Sequence, residues 1–160
     1  MTGPTVLPPD LLSRFQDDPD CPAGPVTLDD LAAHWLRAPL DGPVTWAQAC
    51  AYVITEVPDW AWEFITCALP RLSSPMEAVL LAAGPVEDLV NSSGLIMIDR
   101  IEALAESSAR FRFVLTGIEF PQTTDPALTP VYERIAQARA TAMRRGITTG
   151  GPLPPSDNPA

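Results

Sequence analysis

The chain has 160 residues, a mass of 17.2 kDa, a formal net charge of −10 and a sequence pI near 4.3. This length favours a single domain, and an apolar share of 46% supplies a core and excludes wholesale disorder. The acidic pI argues against a protein that binds nucleic acid by neutralising phosphates, so we expect no direct nucleic-acid binding.

The first 26 residues are predicted to form a proline-rich N-terminal arm. Six prolines in this stretch forbid a long helix. From the sequence alone, the arm either moves freely in solution or drapes over the body of the protein.

Cap residues and apolar positions spaced by three and four predict a series of short helices after the arm. Thr27 and Asp30 have the spacing of a capping box, which starts the first helix. Thr45 starts the second helix. Asp59 is predicted to cap a third helix over residues 60–69.

The segment that follows is predicted to be interrupted twice. Ser74 precedes a proline and starts a helix, but Gly84-Pro85 is expected to break it and restart it, because proline lacks a backbone N–H. A short helix over 87–90 then gives way to a loop over 91–94. Helical spacing resumes over residues 95–106.

The last third contains one ambiguous segment. Residues 110–115 alternate as in a strand and also repeat as in a helix, and we favour a helix because helices are predicted on both sides. A loop over 121–126 precedes a last helix, which begins at Thr129 and ends at the cap Gly146. Residues 147–160 are proline-rich and are predicted to form a disordered tail.

These elements predict an all-α fold: a compact bundle or an irregular stack of helical hairpins with about seven or eight short helices. The predicted organisation is an arm over residues 1–26, one helical domain over 27–146 and a tail over 147–160. The sequence contains no signal-peptide pattern and no apolar run of membrane-spanning length, so we expect a cytoplasmic protein without membrane contact.

Few residues could carry chemistry, and none lies in a recognised motif. Cys21, Cys50 and Cys67 are widely spaced, and the latter two are predicted to be small core residues. The single histidine, His34, is predicted to face solvent or a partner and to pair with Asp30. We therefore predict no catalytic residue, cofactor or metal site, and whether the chain is an enzyme stays open.

Three carboxylates surround two tryptophans. Glu56, Asp59 and Glu63 lie close in sequence to Trp60 and Trp62, and carboxylates beside indole rings can resemble a sugar-cleaving site. A structural explanation is also available, in which Asp59 caps a helix and Glu63 faces water. The tryptophans project to either side of the apolar stripe of their helix, which predicts either core packing or a protein interface.

Charge is distributed unevenly along the chain. Residues 1–41 carry a net charge of −5 and residues 42–99 carry −6, whereas residues 100–160 carry +1. All ten basic residues are arginine, which reflects either avoidance of lysine-directed modification or the codon usage of a GC-rich genome. Seven arginines of the last third are expected to form a solvated face or, alternatively, a small patch for an anion or partner: Arg100, Arg110, Arg112, Arg134, Arg139, Arg144 and Arg145.

Two stretches resemble an uncharacterised bacterial family of small helical domains of unknown function. They are Ala82 to Leu89, which reads Ala-Ala-Gly-Pro-Val-Glu-Asp-Leu, and Ile98 to Gly117. Ser108-Ala109 departs from the Asp-Pro expected of that family before Arg-Phe. The resemblance implies an all-helical fold and no known activity.

Small size, acidity, uneven charge and the absence of catalytic motifs favour a protein-binding module, such as an adaptor, an inhibitor or an immunity-type antagonist of a basic partner. One version is charge mimicry of nucleic acid by Asp17, Asp18, Asp20, Asp29 and Asp30. The alternatives are an enzyme with an unrecognised carboxylate-based site and a structural homo-oligomeric subunit. The residues predicted to make the interaction are Trp60, Trp62, Asp29, Asp30, Glu87 and Asp88.

Overall fold

A computed structural model describes residues 3–120, 125–148 and 150–157. The described residues form α-helices joined by short turns, and the predicted all-α class is confirmed. Contacts along the chain divide it into two compact units, Met1–Arg71 and Leu72–Ala160. A single domain over 27–146 stays a prediction. Parts of the predicted arm (1–2), loop (121–124) and tail (149 and 158–160) lie outside the described residues.

The described part of the first unit contains four α-helices. The predicted capping box at Thr27 is confirmed, because Thr27 accepts a hydrogen bond from the Asp30 N–H at 3.1 Å. The predicted helix start at Thr45 also has a capping box, in which Thr45 accepts a hydrogen bond from the Gln48 N–H at 3.3 Å. Each cap satisfies backbone donors that a helix start leaves unpaired. The helices are α1 (Pro9–Leu12), α2 (Leu28–Arg37), α3 (Trp46–Ile54) and α4 (Pro58–Ala68).

The start of α4 differs from its prediction. The helix begins at Pro58 with Val57 as its cap, and Asp59 lies in the first turn rather than at the cap. Proline suits the first helical position because its backbone angle is already helical and the missing N–H has no partner there in any case. Pro58 therefore starts α4 rather than merely ending the preceding helix.

The N-terminal arm lies along the first unit. Leu7 N–H donates to the Val26 carbonyl at 2.8 Å, and Leu28 N–H donates to the Thr5 carbonyl at 2.9 Å. The Glu63 carboxylate on α4 accepts two further hydrogen bonds from Thr5, from its backbone N–H at 2.7 Å and from its hydroxyl at 2.6 Å. Leu7 is buried, so backbone pairing and apolar burial together hold the arm in place.

The second unit contains α5 (Pro75–Leu81), α6 (Glu87–Ser107), α7 (Ala109–Leu115) and α8 (Thr129–Arg144). The predicted break at Gly84-Pro85 is wrong, because Ala82–Val86 form a π-helical turn that connects α5 to α6. Pro85 has no N–H for an α-helical hydrogen bond, and the wider π-helical turn accommodates it without ending the helix.

The predicted loop over 91–94 is also wrong, because α6 runs through it without interruption. Gly94 is buried where α6 approaches α8, and a Cβ atom added there would lie 2.9 Å from Cγ1 of Val131. Asn91, one turn earlier, accepts a hydrogen bond from the Tyr132 hydroxyl. Glycine and asparagine at these positions therefore serve the packing of two helices and do not form a turn.

The ambiguous segment is the helix α7, as favoured. Ser108 caps it by accepting a hydrogen bond from the Phe111 N–H at 2.9 Å, and Phe111 and Phe113 are fully buried. The last helix, α8, is followed by Gly146 at φ 74°, which matches the predicted glycine cap.

The described part of the C-terminal tail lies against the second unit, although the sequence predicted disorder. The Ser108 hydroxyl donates to the Asp157 carboxylate. Arg110 Nε donates to the Pro154 carbonyl at 3.0 Å. Both donors come from the first turn region of α7, so this short helix fixes the path of the tail.

Candidate functional site

The two predicted interface tryptophans lie on α4, and both are half-buried. Trp60 and Trp62 are therefore not full core residues, and they are not fully exposed to a partner either. The α2–α4 contact is made by other aromatic rings: Trp35 meets Phe64 edge-on, with ring centres 5.7 Å apart and an interplanar angle of 87°.

The two predicted interface aspartates of α2 already have partners within the first unit. Asp29 forms an ion pair with Arg71 at 2.7 Å, and both side chains are little more than one third exposed. Asp30 is exposed, and its carboxylate accepts hydrogen bonds from the backbone and hydroxyl of Thr27. The Thr27 hydroxyl, followed by its backbone N–H, lowers the pKa of Asp30.

The remaining two predicted residues lie in the second unit, in the first turn of α6. The Glu87 carboxylate accepts a hydrogen bond from the Glu119 N–H at 2.7 Å. Asp88 is half-buried, and this desolvation raises its pKa. The six predicted residues thus fall into two groups, four in one unit and two in the other.

Charge mimicry of nucleic acid receives little support from the positions of its five aspartates. Asp18 accepts a hydrogen bond from the Trp46 N–H at 2.8 Å, and Asp29 and Asp30 have the partners given above. Three of the five carboxylates therefore have internal structural roles. Asp17 and Asp20 remain exposed.

The structure does not support the acid–base cluster around the tryptophans. Glu63 was expected to face water, but its carboxylate holds Thr5 of the N-terminal arm. His34 is half-buried, with its ring centre 5.1 Å from that of Trp46, and the Asp30 carboxylate accepts its hydrogen bonds from Thr27. Among the described residues, no group of three His, Cys, Asp or Glu side chains could hold a metal ion.

The cysteines are unsuited to nucleophilic chemistry at neutral pH. Cys21 and Cys50 are buried, and Cys67 is half-buried rather than a full core residue. Burial raises the pKa of Cys50 to about 12 and the pKa of Cys67 to about 11. Their thiols therefore stay protonated at pH 7, and the thiolate is the reactive form.

The arginines of the last third do not form one face. Arg110 is buried and donates to the carbonyls of Leu72 and Pro154. Arg139 lies over the Phe120 ring at 4.9 Å. The expectation of a single solvated face is therefore wrong, because these side chains point to different parts of the second unit.

Three other arginines line one open cleft between α6, α7 and α8. The cleft has a volume of about 470 Å³. Small side chains, Ala105 and Ala138, leave room between the two long helices. Its charged lining consists of Glu102, Glu106, Arg112, Arg134 and Arg145.

No pattern in the sequence groups these five residues, which are spread over 44 positions. Only the packing of three helices brings them together. Of the seven arginines that form an alternative anion patch in the sequence analysis, Arg112, Arg134 and Arg145 line the cleft.

Comparison with known proteins identifies the class of this chain. Residues 38–143 match the family of unknown function DUF6869, so the chain belongs to that family. The predicted resemblance to an uncharacterised family is confirmed. No curated protein and no solved structure matches the chain significantly. In the described part of the chain, every helix is too short or too polar to cross a bilayer.

Proposed function

We propose that this chain is a small acidic protein-binding module whose partner is a basic protein, in the manner of an adaptor, inhibitor or immunity-type antagonist. The observation that carries the proposal is the charge of the first unit, which has ten acidic residues and three arginines. Seven of the ten acids are exposed: Asp10, Asp17, Asp20, Asp30, Asp41, Glu56 and Asp59.

Part of this charge is held in a fixed position. We define the acidic loop as residues 17–20. Its Asp18 carboxylate accepts a hydrogen bond from the Trp46 N–H at the start of α3, so the exposed Asp17 and Asp20 are anchored to the first unit. Preordered charges lose less conformational freedom on binding than charges on a free arm.

An exposed apolar side chain immediately precedes the helix start that the acidic loop contacts. Val44 is 73% exposed and stands two residues before Trp46, which the loop contacts. Acidic groups beside an exposed apolar side chain resemble the polar rim and apolar centre of protein interfaces. A basic protein with an apolar contact point fits this chemistry.

The proposal is tested by affinity capture of the intact protein from its native lysate at low and high salt, with mass spectrometry of the retained proteins. We expect one dominant basic protein that is lost at high salt, because salt screens exposed charges. Recovery of the chain's own copies alone would contradict the proposal and favour a homo-oligomeric subunit.

A matched pair of variants then locates the surface. The double variant Asp17→Asn/Asp20→Asn removes two charges from the acidic loop, and Glu119→Gln/Glu133→Gln removes two exposed charges from the second unit. We expect the first to weaken partner affinity about tenfold and the second to change it less than about twofold. Equal losses in both variants would show a general charge effect and would refute a role for the acidic loop.

A further inference from the structure

The cleft between α6, α7 and α8 has a positive charge surplus in an acidic protein. It is lined by three arginines and two glutamates, whereas the whole chain carries −10. Arg134 is already neutralised, because Nε donates to Glu102 at 2.8 Å and Nη2 donates to Asp99 at 2.7 Å. The remaining charged groups of the cleft are Arg112, Arg145 and Glu106.

Arg112 is held in place by the end of α6. Its Nη1 donates to the carbonyls of Ala105 at 2.6 Å and Glu106 at 3.1 Å, which are among the carbonyls that a helix end leaves free. The Nε of Arg112 is buried and has no hydrogen-bond partner among the described residues. Buried donors in folded proteins are almost always paired, so this one calls for an acceptor.

The unpaired group has a defined recognition geometry. The Nε–H and one N–H of Nη2 lie parallel to each other within the guanidinium plane, and such an edge binds both oxygens of a carboxylate at once. Arg145 is exposed on the rim of the same cleft and supplies a second positive charge.

We infer that this cleft binds a small organic carboxylate, with the guanidinium groups of Arg112 and Arg145 as its charged contacts. Its volume of about 470 Å³ suits a small molecule. Ala105 and Ala138 offer apolar contact to the carbon skeleton. The Glu106 carboxylate disfavours a doubly charged phosphate more than a singly charged carboxylate. The site lies in the second unit and is independent of the acidic loop.

The test is a titration of the full-length, ¹⁵N-labelled protein, observed at its arginine Nε–H resonances. The Arg112 resonance is assigned by its loss in Arg112→Lys. Propionate, benzoate and glutamate are added at constant ionic strength, with propionamide and benzamide as uncharged counterparts. We expect at least one carboxylate to shift the Arg112 resonance saturably with a Kd below about 10 mM, and the amides to leave it unchanged.

Two neighbouring arginines give the matched control. Arg145 lines the cleft and Arg144 does not, although both end α8 and carry the same charge. We expect Arg145→Gln to weaken carboxylate binding at least about fivefold and Arg144→Gln to change it less than about twofold. Because both residues are exposed, this comparison holds even if Arg112→Lys fails to fold.

Two results would overturn the inference. One is the absence of a saturable shift with all three carboxylates. The other is an equal loss of binding in Arg145→Gln and Arg144→Gln, which would reduce the effect to general charge attraction.

Discussion

The close approach of α6 and α8 makes Gly94→Ala the sharpest test of the fold. The added Cβ would lie 2.9 Å from Cγ1 of Val131, where apolar carbon atoms normally stay about 3.5–4.0 Å apart. Val131 is buried on α8, and a valine in a helix has one strongly preferred rotamer, so it cannot easily turn away. The clash must therefore separate the two helices or distort them.

The expected magnitude follows from two opposing effects. Overpacking of a core contact costs about 1–3 kcal/mol. Replacing glycine by alanine inside a helix returns about 1 kcal/mol. We therefore expect a net loss of up to about 2 kcal/mol in the free energy of unfolding, measured by urea denaturation with circular dichroism at 222 nm.

A second glycine provides the control. Gly84 lies in the π-helical turn, and a Cβ added there would meet nothing within 4 Å. We expect Gly84→Ala to be neutral or stabilising by up to about 1 kcal/mol. The double variant Gly94→Ala/Val131→Ala should lose less stability than the sum of its single variants, because the second change removes the clash. A Gly94→Ala protein as stable as Gly84→Ala would refute the close approach.

Further predictions concern four single side chains. Glu63→Ala removes the acceptor of two hydrogen bonds from Thr5, so it should cost about 1–3 kcal/mol of stability and speed proteolysis of the N-terminal arm. Glu56→Ala at an exposed site should do neither. Equal effects of the two variants would contradict a role of Glu63 in holding the arm. Because the folded-state pKa of Asp30 is lowered, its stabilisation is present above the ordinary value of 3.8 and lost as pH falls further, so Asp30→Asn should be less stable than wild type at pH 7, with a gap that closes in acid. The pKa of Asp88 is raised, so the folded state disfavours the charged form of this carboxyl. Asp88→Asn should therefore not be destabilising at pH 7. Urea denaturation from pH 2 to 7 checks the predictions for Asp30 and Asp88. Native Cys50 should react with iodoacetamide at pH 8 far more slowly than in urea, and equal rates by mass spectrometry would contradict its burial.

The helix starts could be predicted because capping is local. Thr27 and Thr45 bind donors only three residues away, so the pattern is complete in the sequence. The course of α6 could not be predicted in this way. Its Asn-Ser-Ser-Gly segment has the composition of a loop, and only contacts with Val131 and Tyr132, far along the chain, explain a helix there.

The candidate sites show the same limit. The acidity of the first unit can be counted in the sequence, but the anchoring of the acidic loop depends on a hydrogen bond between Asp18 and Trp46, 28 residues apart. The cleft depends on three helices that meet only in the folded chain. Side chains such as Glu63 and Arg110 resembled surface charges in the sequence, and their partners lie 58 and 44 residues away.

The structure also bears on why arginine fills every basic position. Arg110 binds two carbonyls and Arg134 binds two carboxylates, with several nitrogens of one planar group. The two acceptors of Arg110 are bound by two different nitrogens, Nε and Nη1, and lysine has one nitrogen in place of these two. Arginine therefore has a structural reason at position 110, whereas the described contacts give none for the exposed Arg14.

The two carbonyl contacts of Arg110 lead to a quantitative prediction. Arg110→Lys keeps the charge but loses at least one hydrogen bond of a buried cation, so we expect a loss of about 1–3 kcal/mol in the free energy of unfolding. Arg14→Lys changes an exposed side chain and should stay within about 0.5 kcal/mol of wild type. Urea denaturation measures the free energy of unfolding of both variants. If Arg110→Lys matched Arg14→Lys, arginine would have no structural advantage at the buried position, and genome-wide codon usage would suffice to explain a chain without lysine.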